Sequence, residues 1–243
     1  MGKGKVLVDG DIIAYRAAFA TQDLFPDDAK RKVEELVDYI LEKTIDFPFP
    51  SKSDYQVYLT GKTNFRFEIA KSYPYKGNRA SVEKPIHLGL CRDHMTEKYD
   101  AVISINEEAD DLIAKEAAAQ NYNCVVASID KDMLQLPCWH FNFGKNEWSK
   151  VSEFEGIHFF YTQILTGDAA DNIKGLRGIG PKKAEKLLSD CKDEDELWGA
   201  IFKAYDGDLD RIIENGRLLW LRRVEDELWC PPKGAGSTAT DQD

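Results

Sequence analysis

The sequence has no apolar run long enough to cross a membrane, and no small-residue cleavage site follows its first apolar residues. A membrane-spanning helix needs about 20 apolar residues, so a membrane helix is excluded, and without a signal peptide we expect a cytoplasmic protein. The five cysteines are odd in number, scattered and never in CxxC spacing. This pattern argues against a disulfide framework and against a zinc site.

A surplus of positive charge is also missing, because 32 Lys and Arg stand against 43 Asp and Glu, for a net charge of −11. The binding face of a nucleic-acid-binding protein is normally basic, so here positive charge would have to be concentrated locally. The length of 243 residues and the hydrophobic content of 43% allow a proper core. They predict one α/β body with a small appended subdomain.

Residues 165–183, LTGDAADNIKGLRGIGPKK, concentrate acids, glycines and lysines in one short segment. Asp168 and Asp171 are three residues apart, so we expect both carboxylates on the same side of one helical turn. Such a pair could hold a hard divalent cation.

The second half of this segment has the composition of a phosphate-binding turn. Its glycines permit backbone conformations closed to other residues, and Pro181 is predicted to start a helix. Backbone amides and lysines there suit a phosphate. A tight turn before an ordinary surface helix explains GIGPKK taken alone, but the acids just upstream favour a nuclease, which needs both metal and phosphate. The local positive charge consists of Lys174, Arg177, Lys182, Lys183 and Lys186.

Acids follow three of the predicted strands, which we place at residues 5–8, 101–105 and 124–129. Ligands bind at the carboxyl ends of strands in open α/β sheets. Taken singly, each acid has a capping or turn role as its default, and Asp11 is predicted to cap a helix at residues 12–19. The acids after the three strands are Asp9, then Glu108, Asp110 and Asp111, then Asp130 and Asp132.

Carboxylates gathered by parallel strands would repel one another, at a cost of about 4 kcal/mol for each pair about 4 Å apart. Such a cluster is tolerable only with bound cations. Oxygen ligands without histidine or thiolate favour Mg²⁺ or Mn²⁺.

The remaining pattern predicts strands at residues 55–59 and 139–143, and helices at residues 29–45, 85–99, 196–205 and 211–224. A further helix begins at the acids of EEADD. The strand at 55–59 ends without an acid, in Leu59, Thr60 and Gly61. Residues 234–243 are small and polar and are expected to be a disordered tail.

Five ordered motifs, VDGD, YKGNR, EADD, SIDKD and GDAADNIKGLRGIGPKKA, resemble those of the 5′-nuclease (flap endonuclease) superfamily. The resemblance covers roughly residues 5–190 and is strongest to the small phage 5′-to-3′ exonucleases. It implies a PIN-like α/β domain at residues 1–160, with a mainly parallel sheet flanked by helices. A helix-three-turn-helix and C-terminal helical subdomain is implied at residues 161–233.

The resemblance also implies roles for particular residues. Two Mg²⁺ or Mn²⁺ ions are expected, and Lys76 and Arg79 correspond to a basic pair that contacts the scissile phosphate. The helix-three-turn-helix is expected to bind the duplex DNA backbone and a K⁺ ion through its turn carbonyls. The implied metal ligands are Asp9, Glu108, Asp110, Asp130, Asp132, Asp168 and Asp171, with Asp111 beside them. The implied DNA contacts are Lys174, Arg177, Gly178, Gly180, Lys182 and Lys183.

The expected function is Mg²⁺-dependent 5′-to-3′ hydrolysis of phosphodiesters from 5′ ends or nicks of duplex DNA in phage-type replication. RNA primers and flaps are further candidate substrates. The expected partners are DNA, an RNA–DNA hybrid and replication proteins, and the protein is expected to be a monomer. Only residues 80–107 separate Arg79 from Glu108. This stretch is too short for the two-helix arch of the larger flap nucleases, so we expect an open gateway.

Two alternatives stay open. The family has an acid just after its second strand, where this sequence has Leu59, Thr60 and Gly61. Asp11 or water could partly substitute for it; otherwise the chain could be a non-catalytic, structure-specific DNA-binding protein with a degraded metal site. A receiver-like phosphoacceptor using an Asp pair is the other alternative, but it leaves GIGPKK and YKGNR unexplained.

Overall fold

The computed structural model of the protein describes residues 4–44, 54–79 and 82–232. Two compact units, which alternate along the chain, make up the fold. The first, here called the sheet unit, consists of Met1–Phe65, Ser81–Ser152 and Leu221–Glu225. The second, here called the helical unit, consists of Arg66–Ala80, Glu153–Trp220 and Asp226–Asp243. The helical unit thus includes residues 66–80, which the sequence pattern groups with the sheet, and the predicted tail at 234–243 lies outside the described residues.

The elements are numbered along the whole chain. The strands are β1 Lys5–Asp9, β2 Asp54–Leu59, β3 Val102–Ile103, β4 Cys124–Ala127, β5 Trp139–Asn142, β6 Glu147–Lys150, β7 Gly167–Asp168 and β8 Ile173–Lys174. The helices are α1 Gly10–Ala20, α2 Pro26–Thr44, α3 Arg66–Ile69, α4 Leu88–Tyr99, α5 Ala109–Ala119, α6 Glu153–Thr166, α7 Pro181–Leu188, α8 Glu194–Ala204 and α9 Leu209–Leu219. Short 3₁₀ helices form at Gly77–Arg79 and Lys131–Gln135.

The sheet unit is built on a six-stranded sheet in the order β3-β2-β1-β4-β5-β6. All neighbouring strands are parallel except β5 and β6. Parallel strands are buried on both faces, which explains the continuous apolar runs at β1 and β4. The predicted α/β class with a mainly parallel sheet is confirmed, and β6, which the sequence pattern did not reveal, adds an antiparallel edge.

Alternation along β1 supplies two apolar layers. Val6 and Val8 join a core cluster that includes residues of α1, α2 and α4. Leu7 points to the other face and joins a cluster with Ala109, Ile113 and other residues of α5. Helices therefore cover both faces of the sheet, and the carboxyl ends of β1, β2 and β4 lie at one edge.

Several predicted elements differ in their bounds from those in the structure, and the helix predicted at 29–45 begins three residues earlier, at Pro26. The predicted strand at 101–105 is reduced to β3, and beyond it the chain turns at Asn106, which adopts the left-handed conformation (φ 57°). The helix predicted at 85–99 begins three residues later, at Leu88. The helix predicted at 211–224 ends at Leu219, since Leu221 packs into the core of the sheet unit and donates its N–H to Gln135 Oε1 at 3.2 Å.

The helical unit has its own core, formed by buried residues of α6, α7, α8 and α9 together with Tyr75 and Trp229. The buried Arg66 donates from Nε to the Leu218 carbonyl at 2.9 Å and from Nη2 to the Trp220 carbonyl at 2.8 Å. These carbonyls end α9 without intrahelical partners. Arg66 therefore ties residues 66–80 to the C-terminal end of that helix.

None of the helices formed by the described residues is long and apolar enough to cross a membrane. All five cysteines are free thiols: Cys91, Cys124 and Cys138 are buried, Cys191 is half-buried and Cys230 is exposed.

Candidate active site

Asp9 and Asp130 meet at the carboxyl edge of the parallel sheet, joined by Ser128. Asp9 is the last residue of β1, and Asp130 follows the neighbouring strand β4. The Ser128 hydroxyl donates to Asp9 Oδ2 at 2.6 Å and accepts the Asp130 N–H at 3.0 Å. The predicted convergence of acids from separate strands is thus realised for this pair, and Ser128 is a residue that sequence reasoning missed.

Asp9 is only 2% exposed. The pKa of its carboxyl is raised to about 7, mainly by burial and further by the negative charges of Asp11 and Asp130. The hydrogen bonds from Ser128 and the Ile12 N–H act in the opposite direction and lower the pKa. A buried carboxylate among other carboxylates is stabilised by a nearby cation. The structure also makes Asp9, rather than Asp11, the N-terminal cap of α1, because the Ile12 N–H reaches Asp9 Oδ1 at 3.3 Å. The prediction that Asp11 caps this helix is wrong.

The acids of EADD lie in the first turn of α5, as predicted, with Glu108 at the capping position. Asp111 is fully buried. Its two carboxylate oxygens accept the Glu108 N–H and the Arg222 N–H, both at 3.1 Å. Asp111 is therefore engaged in fixing the backbone at the start of α5, while Asp110 is half-buried.

Asp130 and Asp132 lie at the start of the 3₁₀ helix Lys131–Gln135. The Asp132 N–H donates to Asp130 Oδ1 at 2.9 Å, and Lys131 Nζ lies 2.9 Å from Asp132 Oδ1. Both side chains are half-buried. Both carboxylates are therefore accessible to solvent, while the backbone that carries them is held by the hydrogen bond between the two residues.

Donor chemistry at this edge fits a hard divalent ion, since oxygen is the only donor type that the predicted ligands offer. Within residues 4–44, 54–79 and 82–232, however, no three His, Cys, Asp or Glu side chains are grouped as a metal site. The carboxylates of Asp9, Asp111 and Asp130 accept hydrogen bonds from backbone or hydroxyl groups. The predicted ligand set fits Mg²⁺ or Mn²⁺ by chemistry and stays a prediction as a set.

Asp168 and Asp171 are not on a helical turn, so that prediction is wrong. Gly167 adopts φ 69°, which ends α6 at Thr166. Asp168 then closes a turn by accepting the N–H groups of Ala170 at 2.7 Å and Asp171 at 3.2 Å. Aspartate commonly bonds to backbone two or three residues further on, so a spacing of three here indicates a turn between β7 and β8.

The predicted basic pair surrounds Asp171 in the helical unit. Arg79 Nη2 lies 2.6 Å and Lys76 Nζ 3.9 Å from Asp171 Oδ1, and the Tyr75 hydroxyl donates to Asp171 Oδ2 at 2.9 Å. Arg79 also donates from Nε to the Ala170 carbonyl at 3.0 Å. The structure thus brings YKGNR and GDAAD together, and it adds Tyr75, which sequence reasoning did not single out.

The basic residues of the glycine-rich segment are on the surface. Pro181 begins α7, as predicted, and the preceding Gly180 is its capping residue. Lys183 Nζ donates to the Gly178 carbonyl at 2.8 Å. Lys174, Arg177, Lys182, Lys183 and Lys186 are all exposed, so they are available to a phosphate backbone.

The glycines of this segment differ in what they require. A Cβ at Gly175 would lie 2.3 Å from the Leu165 carbonyl oxygen, whereas a Cβ at Gly180 would meet open space. Gly178 also faces open space but has φ 80°. Gly175 is therefore needed for close backbone packing, while Gly180 is free to change without steric conflict.

We therefore expect Gly175→Ala to lower the free energy of unfolding by about 2–3 kcal/mol, because the new methyl group must displace backbone. Gly180→Ala is the matched control: its methyl group meets open space, and it should cost no more than about 1 kcal/mol, the typical effect of alanine at a helix N-cap. Urea unfolding followed by circular dichroism measures both. Equal stability of the two variants would contradict the packing argument.

The parallel sheet with acids at its carboxyl edge, together with the helical unit, is the fold of the 5′ nucleases. It matches the D15 protein of bacteriophage T5, crystallised with metal ions, with a TM-score of 0.64 and 16% identity over 89% of both chains. It also matches flap endonuclease-1 from Methanococcus jannaschii, with a TM-score of 0.57 and 14% identity over 92% of this chain and 80% of that one. At these identities the likeness shows the fold.

The family follows from the sequence, because residues 5–155 match the model of the 5′-3′ exonuclease, N-terminal resolvase-like domain. The protein belongs to this 5′-3′ exonuclease family. It is 32% identical to flap endonuclease Xni of Shewanella baltica over 145 residues, which are 53% of this chain and 55% of that protein. It is 28% identical to a 5′-3′ exonuclease of Buchnera aphidicola over 220 residues, 82% of this chain and 74% of that one. The match thus spans about half the length of the Xni relatives.

Proposed function

We propose that this protein is a Mg²⁺- or Mn²⁺-dependent 5′-to-3′ exonuclease that hydrolyses phosphodiesters from 5′ ends or nicks of duplex DNA. The observation that carries the proposal is the buried Asp9, joined through Ser128 to Asp130 at the carboxyl edge of the parallel sheet. The family membership supports it, as do the metal ions and DNA in the crystal of the related T5 flap endonuclease.

The proposed ligands in the sheet unit are Asp9, Glu108, Asp110, Asp130 and Asp132, while Asp111 supports them through its two backbone hydrogen bonds. Asp168 and Asp171 are also proposed as metal ligands, because they belong to a motif that resembles one of the family. Divalent ions held by such carboxylates would supply Lewis-acid activation of water and of the scissile phosphate.

Lys76 and Arg79 are proposed to contact the scissile phosphate. Asp171 pairs with both cations, and the Arg79 side chain is half-exposed. As negative charge grows on the phosphate oxygens, cations already held in place stabilise it without reorganising. The water oxygen joins phosphorus, the bond to the 3′ oxygen breaks, and the product carries a 5′-phosphate.

The exposed lysines of α7 and the turn before it are proposed to hold the duplex by its phosphates, with K⁺ at the turn carbonyls. RNA–DNA hybrids as substrates, replication proteins as partners and a monomeric state belong to the same proposal. A nicked duplex labelled at the 5′ end of the nick tests the activity. Release of 5′-phosphorylated products with Mg²⁺ but not with EDTA is expected, and binding without cleavage in Mg²⁺ and Mn²⁺ would favour the non-catalytic DNA-binding alternative.

The chain between Arg79 and Glu108 favours an open gateway for the DNA strand. Within described residues 82–107, α4 is the only helix, and its Leu88, Cys91, Met95 and Tyr99 are buried in the core of the sheet unit. A helix committed to the core cannot also form a free-standing arch.

We therefore expect a DNA flap to be cut at an unchanged rate when its 5′ end is blocked by a bulky protein. The measurement compares cleavage of a 5′-biotinylated flap with and without streptavidin added before the enzyme. The same flap biotinylated at its 3′ end is the control. Strong inhibition by the 5′ block alone would show that the strand threads through a closed opening.

A further inference from the structure

Thr60 directly follows the last residue of β2, at the carboxyl edge of the sheet, and three of its polar groups are engaged in the sheet unit. Its N–H donates to Asp11 Oδ2 at 2.9 Å, and its hydroxyl oxygen accepts the Ala109 N–H at 2.9 Å. Its carbonyl accepts a hydrogen bond from Arg92, whose guanidinium is also paired with Asp11. Thr60 therefore links the first turns of α1 and α5, the two helices that follow the predicted ligands Asp9 and Glu108.

The segment around Thr60 runs beside the one that leads into α5. The Ser104 N–H donates to the Leu59 carbonyl at 2.8 Å, and the Phe65 N–H to the Asn106 carbonyl at 3.1 Å. Side chains add to this contact, since the Gly61 N–H reaches Ser104 Oγ at 2.9 Å. Residues 59–65 and 104–109 are thus joined along their length.

The next residue, Gly61, has no room for a side chain. A Cβ at Gly61 would lie 2.0 Å from the Ser104 carbonyl oxygen, a distance that no side chain tolerates without backbone movement. The Ser104 hydroxyl in turn donates to the Glu107 carbonyl at 2.5 Å, which fixes the residue just before Glu108. Close packing at Gly61 and the hydroxyl of Thr60 both act on the start of α5.

We propose that Thr60 is a positioning residue for the proposed metal-binding carboxylates: its hydroxyl fixes the first turn of α5, and so Glu108 and Asp110. The Ala109 N–H is one of the N-terminal donors of α5 that lack an intrahelical partner. Partners that orient metal ligands commonly affect metal affinity by about 10–100-fold. This inference rests on the proposed metal site.

The test measures Mn²⁺ binding directly, by electron paramagnetic resonance of free Mn²⁺, without DNA and without turnover. Thr60→Val removes the hydroxyl and keeps the shape, and should weaken Mn²⁺ binding about tenfold or more. Thr60→Ser keeps the hydroxyl and should bind Mn²⁺ as the unmodified protein does. Wild-type affinity in Thr60→Val would overturn the inference, while no Mn²⁺ binding by the unmodified protein would overturn the proposed metal site itself.

A control separates positioning from general stability. Thr21 is buried in the sheet unit, where its hydroxyl donates to the Ala17 carbonyl at 2.8 Å at the other end of α1. Thr21→Val should lower the melting temperature in EDTA but leave Mn²⁺ affinity unchanged. An equal loss of affinity in Thr21→Val would show that Thr60 acts only through stability. If Thr60→Val does not fold, Thr60→Ala repeats the deletion with less bulk, and failure of both to fold would assign Thr60 to folding alone and overturn the inference.

Discussion

Replacing Asp9 with asparagine should reduce phosphodiester cleavage at least about 100-fold. Asp9 is proposed as a direct metal ligand, and its loss should cost at least as much as the loss of a residue that only orients such a ligand. Asparagine keeps the shape of the side chain and one oxygen, so it can still accept from Ser128 or cap α1. What it removes is the negative charge at the buried carboxyl edge of the sheet. Initial rates on a nicked duplex in Mg²⁺ measure the effect.

The same variant should fold at least as stably as the unmodified protein in EDTA. Asp9 is buried, and its pKa is raised to about 7 by burial and neighbouring acids, so the folded state bears the cost of an ionised group at pH 8. Removing that charge relieves the cost. Loss of activity without loss of stability distinguishes a metal ligand from a structural residue.

Asp38→Asn is the matched control, since Asp38 is an exposed acid on α2 and its replacement makes the same change in net charge. It should leave cleavage unchanged. DNA binding measured in Ca²⁺, which also takes oxygen ligands, should stay close to normal in both variants. Near-normal turnover by Asp9→Asn would contradict the assignment of Asp9 to the metal site.

Replacing both Lys182 and Lys183 with alanine should weaken DNA binding about equally on all sequences, because phosphate contacts carry no sequence information. Each phosphate contact contributes about 0.9 to the slope of log affinity against log salt, so the double variant should flatten this slope by roughly two. Both lysines are exposed at the start of α7, where the helix dipole also favours phosphate.

Fluorescence anisotropy of labelled duplexes across a salt series measures the slope. A double variant at Lys192 and Lys203, also exposed and in the helical unit, makes the same change in net charge and should leave the slope unchanged. The single variant Lys182→Ala separates phosphate contact from the support that Lys183 gives to the Gly178 carbonyl. An unchanged slope in the Lys182/Lys183 variant would assign both lysines to an ordinary solvated helix face.

Five of the six strands of the large sheet and most helices could be predicted from the sequence, because burial on a sheet or on one face of a helix imposes a local repeat. The apolar run before Asp9 and the helical repeat through Val33 and Val37 follow this rule, while the acids at the start of α5 are favoured there by the helix dipole. The prediction failed where the same short-range spacing is compatible with both a helical turn and a tight turn. Asp168 and Asp171 have the spacing of a helical turn, but the positive φ of Gly167 ends the helix first.

By itself the sequence determined the fold class, the family motifs and the predicted ligands, because these depend on residue type and order along the chain. Only the tertiary structure decided how the site is supported. Ser128 is 119 residues from Asp9, and Thr60 is 49 residues from Ala109. Hydrogen bonds form wherever folding places a donor within about 3 Å of an acceptor. Nothing in the local sequence indicates that residues this far apart along the chain come so close. The local pattern determines the strands, and the geometry of the sheet edge that these strands form then determines which residues become partners.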